Sequence, residues 1–252
     1  QSARAETITI SDEASCRALG GWFSNYGCDL YSPITINAGD TLQLLDDVTF
    51  HETVTNNGTL TIGDRTFIKM NRDATNNGVM NIGGILRIFG TTHNSATGQI
   101  NINFGTLQLA DFFTVFTNDG VVAVNPRGYL WNPYQEATIN NNNFIEVKCG
   151  GLYVNDGLYT GNPVQFEDCT PPSVTINQAA SQPDPTSVSP LTFVALFSEP
   201  VLDFTDADVV LGGSAGATTA IVTGDGITFT IVVSGMTTDG DVSVTIPAGA
   251  AT

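Results

Sequence analysis

Short phrases in which apolar and polar residues alternate, each opened by glycine and a small or β-branched residue, return at intervals of twenty-odd residues along the first two-thirds of the chain. One register reads Gly58-Thr59-Leu60-Thr61-Ile62, Gly78-Val79-Met80-Asn81-Ile82, Gly98-Gln99-Ile100-Asn101-Ile102, Gly120-Val121-Val122-Ala123-Val124 and Asn143-Phe144-Ile145-Glu146-Val147. A second runs half a period away through Gly39-Asp40-Thr41-Leu42-Gln43-Leu44, Gly84-Ile85-Leu86-Arg87-Ile88, Gly105-Thr106-Leu107-Gln108-Leu109, Gly128-Tyr129-Leu130-Trp131 and Gly151-Leu152-Tyr153-Val154, with Ile68-Lys69-Met70 filling the gap. Alternation with period two predicts strands. Fixed recurrence of two such phrases predicts a β-solenoid of about six coils, each burying its apolar positions against its neighbours. Asn57-Gly58, Asn77-Gly78 and Asp119-Gly120 read as turns that use left-handed backbone. A hairpin meander is disfavoured, because it would not repeat one phrase in two interleaved registers.

Past Thr170-Pro171-Pro172 the pattern changes. Alternating segments at Val174-Thr175-Ile176, Leu191 to Phe197, Val209-Val210-Leu211, Ala220-Ile221-Val222, Ile227 to Val233 and Val242 to Ile246 are separated by Gly and Pro, which predicts a β-sandwich. The expected organisation is an N-terminal strand and cap over 1–33, solenoid over 34–169, a Pro-Pro linker at 170–172 and a sandwich over 173–252.

Charge divides the chain at the same place. All eight Lys and Arg precede Thr170, and the remainder carries only acids. A net charge of −17 over 252 residues repels phosphate backbones and anionic bilayers, so nucleic-acid partners are not expected. No apolar run is long enough to span a bilayer, which predicts no membrane insertion within this chain. The start at Gln1 reads as a processed end, its export signal removed. Four cysteines suit an oxidising, extracellular or cell-surface compartment. Cys16 with Cys28, and Cys149 with Cys169, pair by neighbourhood as staples at the two ends of the array, although other connectivities remain formally open.

Two resemblances add to this. Phe193-Val194-Ala195-Leu196-Phe197-Ser198-Glu199-Pro200-Val201, Phe204-Thr205-Asp206-Ala207-Asp208-Val209 and the stretch Asp239 to Thr252 resemble the bacterial Ig-like module found in tandem in large surface adhesins. In that family a further strand follows the Ala-Gly-Ala-Ala-Thr phrase. The resemblance therefore implies an Ig-like sandwich lacking its last strand. The N-terminal portion is similar to secreted, Asn-Gly-rich repeat proteins of prokaryotes, on the Cys-x-x-Leu-Gly-Gly loop Cys16-Arg17-Ala18-Leu19-Gly20-Gly21. The expected fold class is all-β: a parallel β-solenoid with disulfide-stapled caps, followed by an Ig-like sandwich.

Stacked coils place outward side chains in columns about 4.8 Å apart. The first register offers Thr61, Asn81, Asn101, Ala123 and Glu146. Lys69, Arg87, Gln108, Trp131 and Tyr153 form the second, a candidate surface or ligand column for a surface glycan. Only Thr59 and Thr61 supply the paired threonines that an ice-binding face would need. Neither register brings paired carboxylates together, so no enzyme is predicted; a carbohydrate-active β-helix or carbohydrate-binding module is the rival reading. Asn56, Asn57, Asn76, Asn77 and Asn140 to Asn143 recur at one corner, and the favoured reading is a stack that satisfies backbone groups at each bend. His51 and His93 are read as surface or turn residues. Asp203, Asp206 and Asp208 form an acidic loop for which calcium is the candidate cofactor. The expected function is a cell-surface structural protein, an adhesin stalk or filament subunit. Its partners would be further copies or further domains of the same protein, with Thr7-Ile8-Thr9-Ile10 as a candidate donor strand for β-strand addition to the incomplete sandwich.

Overall fold

The computed structural model describes residues 5–251. The chain divides into two compact units, one ending at Asp168 and the other beginning at Cys169.

The first unit is a parallel β-solenoid with three sheets. The first sheet stacks Thr7–Ile10, Thr41–Leu44, Thr59–Ile62, Val79–Ile82, Gln99–Ile102, Val121–Val124, Phe144–Val147 and Gln165–Phe166. In the second sheet lie Trp22–Ser24, Gly27–Leu30, Val48–Phe50, Phe67–Met70, Ile85–Ile88, Thr106–Leu109, Tyr129–Asn132 and Leu152–Asn155. The third holds Ile34–Ile36, Val54–Asn56, Ala74–Asn76, Thr91–Asn94, Val115–Asn118, Thr138–Asn141 and Leu158–Gly161, one per turn, which makes seven turns where six coils were expected. Every solenoid pair is parallel except Trp22–Ser24 with Gly27–Leu30.

Three departures from the sequence reading have physical causes. A coil carries three strands, because the third face is written in Thr and Asn, such as Val54-Thr55-Asn56, whose inward polar residue breaks the apolar alternation. Thr41–Leu44 belongs to the first register, where it pairs with Thr59–Ile62. The segment expected to be a cap already contains rungs, since Thr7–Ile10 pairs with Thr41–Leu44 and Gly27–Leu30 with Val48–Phe50.

Inside, successive rungs bury like on like. Leu44, Ile62, Ile82, Ile102 and Val124 form one closed file, and Leu30, Phe50, Met70, Ile88 and Leu109 another, each at 1% exposure or less. Burying one such side chain contributes about 1.5–3 kcal/mol. The helix Glu13–Ala18 starts on Asp12, whose carboxylate accepts the Ser15 amide at 2.8 Å while Ser15 Oγ accepts from the Asp12 amide. It carries the buried Cys16 to Cys28, to which it is disulfide-bonded. Cys149 and Cys169 are disulfide-bonded as well, and none of the four is free.

The second unit is antiparallel: a three-stranded sheet of Val174–Gln178, Leu191–Val201 and Thr219–Ser234, and a two-stranded sheet of Val210–Gly212 and Ser243–Thr245. Thr219–Ser234 is one continuous strand where two were expected. Gly224 and Gly226, at positive φ, let the chain bend inside it opposite a register shift in its partner. Phe197, Phe204 and Phe229 pack edge to face around Ala195, Ile231 and Val233.

Candidate functional site

Five asparagines of the third sheet do one job along the middle of the stack. Asn56, Asn76, Asn94, Asn118 and Asn141 point inward and are 1% exposed or less. Asn56 Nδ2 donates to Asn76 Oδ1 at 2.7 Å, Asn76 to Asn94 at 2.8 Å, Asn94 to Asn118 at 2.7 Å and Asn118 to Asn141 at 2.8 Å. The same Nδ2 groups also donate to carbonyls at the next bend, those of Val79, Gln99, Val121 and Phe144. Buried amides are thereby satisfied in series. Asn57 and Asn77 lie outside this file and bond to each other at 2.8 Å. Asn140 faces outward beside Thr117 and Thr160, and Asn142 bonds Asp119 at 2.7 Å. Asn94 and Asn118 were missed in the sequence because neither stands in an Asn-Asn doublet. A second, shorter pair joins Asn132 to Asn155 at 2.7 Å.

Outward on the third sheet the register sets Thr35, Thr55, Thr75, His93, Thr117, Asn140 and Thr160 in one column. The threonine file sought in the first register thus lies on the face that the two-register reading lacked. His93 and Asn140 interrupt it. His93 Nε2 is 2.6 Å from Asp119. The Asn142 amide first, and His93 second, hold the Asp119 carboxyl below the usual carboxylate range. His51 is 2.8 Å from Asp29 and stacks on Tyr31 at 4.3 Å.

The outward column of the second sheet runs, rung by rung, Trp22, Asp29, Thr49, Lys69, Arg87, Gln108, Trp131 and Val154. Val154, rather than Tyr153, follows Trp131. Tyr153 pairs with Leu130 and turns inward, half-buried against the core, because the phrase Leu152-Tyr153-Val154 sits one residue off the register assumed for it. Burial first, and Tyr159 second, push its phenol up. Arg87 Nε donates to Gln108 Oε1 at 2.8 Å, and both Lys69 and Arg87 lie over the ring of Phe67. Tyr129 and Trp131 stack nearly parallel, 5.5 Å apart.

Thr7–Ile10, the candidate donor strand, is the end strand of the first sheet. One of its edges is paired with Thr41–Leu44, and Ile10 is sealed in the core. Donating it elsewhere would require peeling that rung away.

In the second unit, Asp208 accepts from the amide and hydroxyl of Thr205, each at 2.8 Å, and Asp206 accepts the Val222 amide at 2.5 Å. These carboxylates hold the loop to its neighbours. Among the described residues no three His, Cys, Asp or Glu side chains, Asp203, Asp206 and Asp208 included, are grouped to hold a metal ion. No helix there is long and apolar enough to cross a membrane.

No known family model, curated protein or solved structure matches this chain.

Proposed function

We propose that the protein is a non-enzymatic structural component of an extracellular or cell-surface assembly, with the solenoid as a stiff spacer and the C-terminal unit as an Ig-like connecting module. The observation that carries this is the continuous inner asparagine file, four amide-to-amide bonds in series over five rungs. It locks the stack mechanically and leaves those groups unavailable for chemistry. Two disulfides support an oxidising compartment. The antiparallel two-sheet core around Phe197, Phe204 and Phe229 supports the Ig-like reading of the second unit.

Antibody against the solenoid, applied to intact cells making the natural protein, should label the outer surface. Label confined to permeabilised cells would overturn the reading. Turnover of any polysaccharide by the purified chain would overturn its non-enzymatic part.

A further inference from the structure

Among the described residues, Lys69 and Arg87 are the only Lys or Arg in any strand of the solenoid, and the register sets them on adjacent rungs of the second sheet, both pointing outward. The first sheet's column of Thr61, Asn81, Asn101, Ala123 and Glu146 carries no Lys or Arg, nor does the third sheet's threonine column, where His93 is held by Asp119. With 25 acids against eight bases, a cation here would be expected to find a carboxylate. Lys148 does so twice, at Glu146 and Glu167, and Arg17 once, at Glu13. Lys69 and Arg87, like Arg65, Arg72 and Arg127 at the bends, form no salt bridge among the described residues; they rest on Phe67 and Gln108.

Aromatic side chains gather on the same face. The chain's two tryptophans, Trp22 and Trp131, stand in the same column as the two cations. They lie six strand spacings apart, roughly 29 Å at about 4.8 Å each. Two residues earlier along the strands, Phe67 and Tyr129 share a second outward column with Ile85 and Thr106. At the corner that leads into this sheet, Arg65, Phe104 and Arg127 occupy equivalent left-handed positions at φ 65°, 59° and 64°. Arg127 lies over Phe104. Left-handed backbone is unfavourable for such residues, yet it aims long cationic and aromatic side chains outward along one edge of the face.

We infer that this outer face of the second sheet binds a linear anionic polysaccharide, with Lys69 and Arg87 pairing its carboxylates and the Tyr129–Trp131 pair contacting its sugar rings. The face extends along the stack, and its two central cations stand two rungs or more from the one acid of their column, Asp29, which is held by His51. Screening within about 8 Å at physiological salt lets the local patch decide a contact that net charge would oppose at long range. Guanidinium and aromatic groups side by side suit a ligand that alternates carboxylates with apolar ring faces. This binding role is additional to the spacer role and does not depend on it.

The test uses the full chain, polygalacturonate as the uronate polymer, dextran as its neutral counterpart, and affinity electrophoresis with titration calorimetry at two salt concentrations. Polygalacturonate should bind and dextran should not. Lys69→Gln with Arg87→Gln should weaken binding roughly tenfold or more and flatten its salt dependence, and Trp131→Ala should weaken it separately. Lys148→Gln, whose ammonium is already paired with Glu146 and Glu167, should weaken binding far less. All four side chains point outward or lie in a loop, so circular dichroism should be unaltered; if Trp131→Ala fails to fold, the charge variants still decide. Absence of wild-type binding at low salt, equal binding of dextran, or equal binding by the Lys69/Arg87 variant would overturn the inference. So would concentration-dependent self-association that this variant abolishes, which would assign the face to a second copy of the chain.

Discussion

At the scale of single residues, the glycines that open each phrase are required by space rather than by backbone angle. Gly58, Gly78, Gly98 and Gly120 are not among the residues at positive φ. A Cβ on Gly78 would collide with the Gly58 carbonyl oxygen, and one on Gly120 with that of Gly98. Neighbouring backbone, not a flexible side chain, fills the gap. Gly78→Ala should therefore cost about 2–3 kcal/mol, as overpacking does where backbone must move, measured by urea denaturation. Thr92 offers the opposite case. Its side chain points inward between Ala74 and Phe116 at 3% exposure, and Oγ1 has no hydrogen-bond partner. Replacing the hydroxyl by a methyl of the same shape removes a desolvation cost and keeps β-branching. Thr92→Val should raise stability by about 1 kcal/mol, and a lower denaturation midpoint would show that the hydroxyl is satisfied in solution.

At the scale of strands and files, the asparagine ladder behaves as one element, because each amide is both donor and acceptor in the same line. Asn94 sits in its middle, and Asn94→Ala removes the acceptor of the Asn76 amide within the file and the Asn94 donor to the Asn118 oxygen at once. A cost of about 3 kcal/mol is expected, larger than that of the outward Asn101→Ala, with proteolysis rates at the neighbouring bends reporting the same order. The outward His93–Asp119–Asn142 group gives the third sheet an acid limit. Folding lowers the Asp119 pKa, so the unfolded chain takes up this proton first as pH falls. Its contribution is present above the ordinary carboxylate value of 3.8 and is lost as pH drops through the lower folded value. Asp119→Asn should reduce the fall in melting temperature seen below about pH 4. The apolar files on the first two sheets were legible from sequence, because Leu60-Thr61-Ile62 and its repeats alternate cleanly. The third sheet was not: Ala74-Thr75-Asn76 and Thr92-His93-Asn94 bury a polar residue, and only stacking in space supplies its partner. The same blindness set Tyr153 outward, since Leu152-Tyr153-Val154 alternates equally well in either register and only pairing with Leu130 decides between them.

At the scale of the whole chain, two cores with different chemistry predict two unfolding events. The solenoid's core runs continuously from Ile10 to Val147, held by parallel ladders and the inner amides. The second unit has its own core of Ala195, Phe197, Val201, Phe204, Phe229, Ile231 and Val233, none of which belongs to the first. Each residue change should then move only the transition of the core it touches. Scanning calorimetry of the full chain should resolve two transitions, the upper or the lower of them shifted by Thr92→Val and only the other by Asp206→Ala. The aspartate change removes the carboxylate that accepts the Val222 amide, so a loss of about 1–2 kcal/mol is expected in that one transition. Calcium should move neither, because no three acidic side chains are grouped there among the described residues, and Asp206 Oδ1 and Asp208 Oδ2 already accept from Val222 and Thr205. A calcium-dependent rise confined to the transition that Asp206→Ala lowers would instead make the acidic loop a cation site. One transition shifted by both substitutions would mean that the two cores unfold as a single cooperative body.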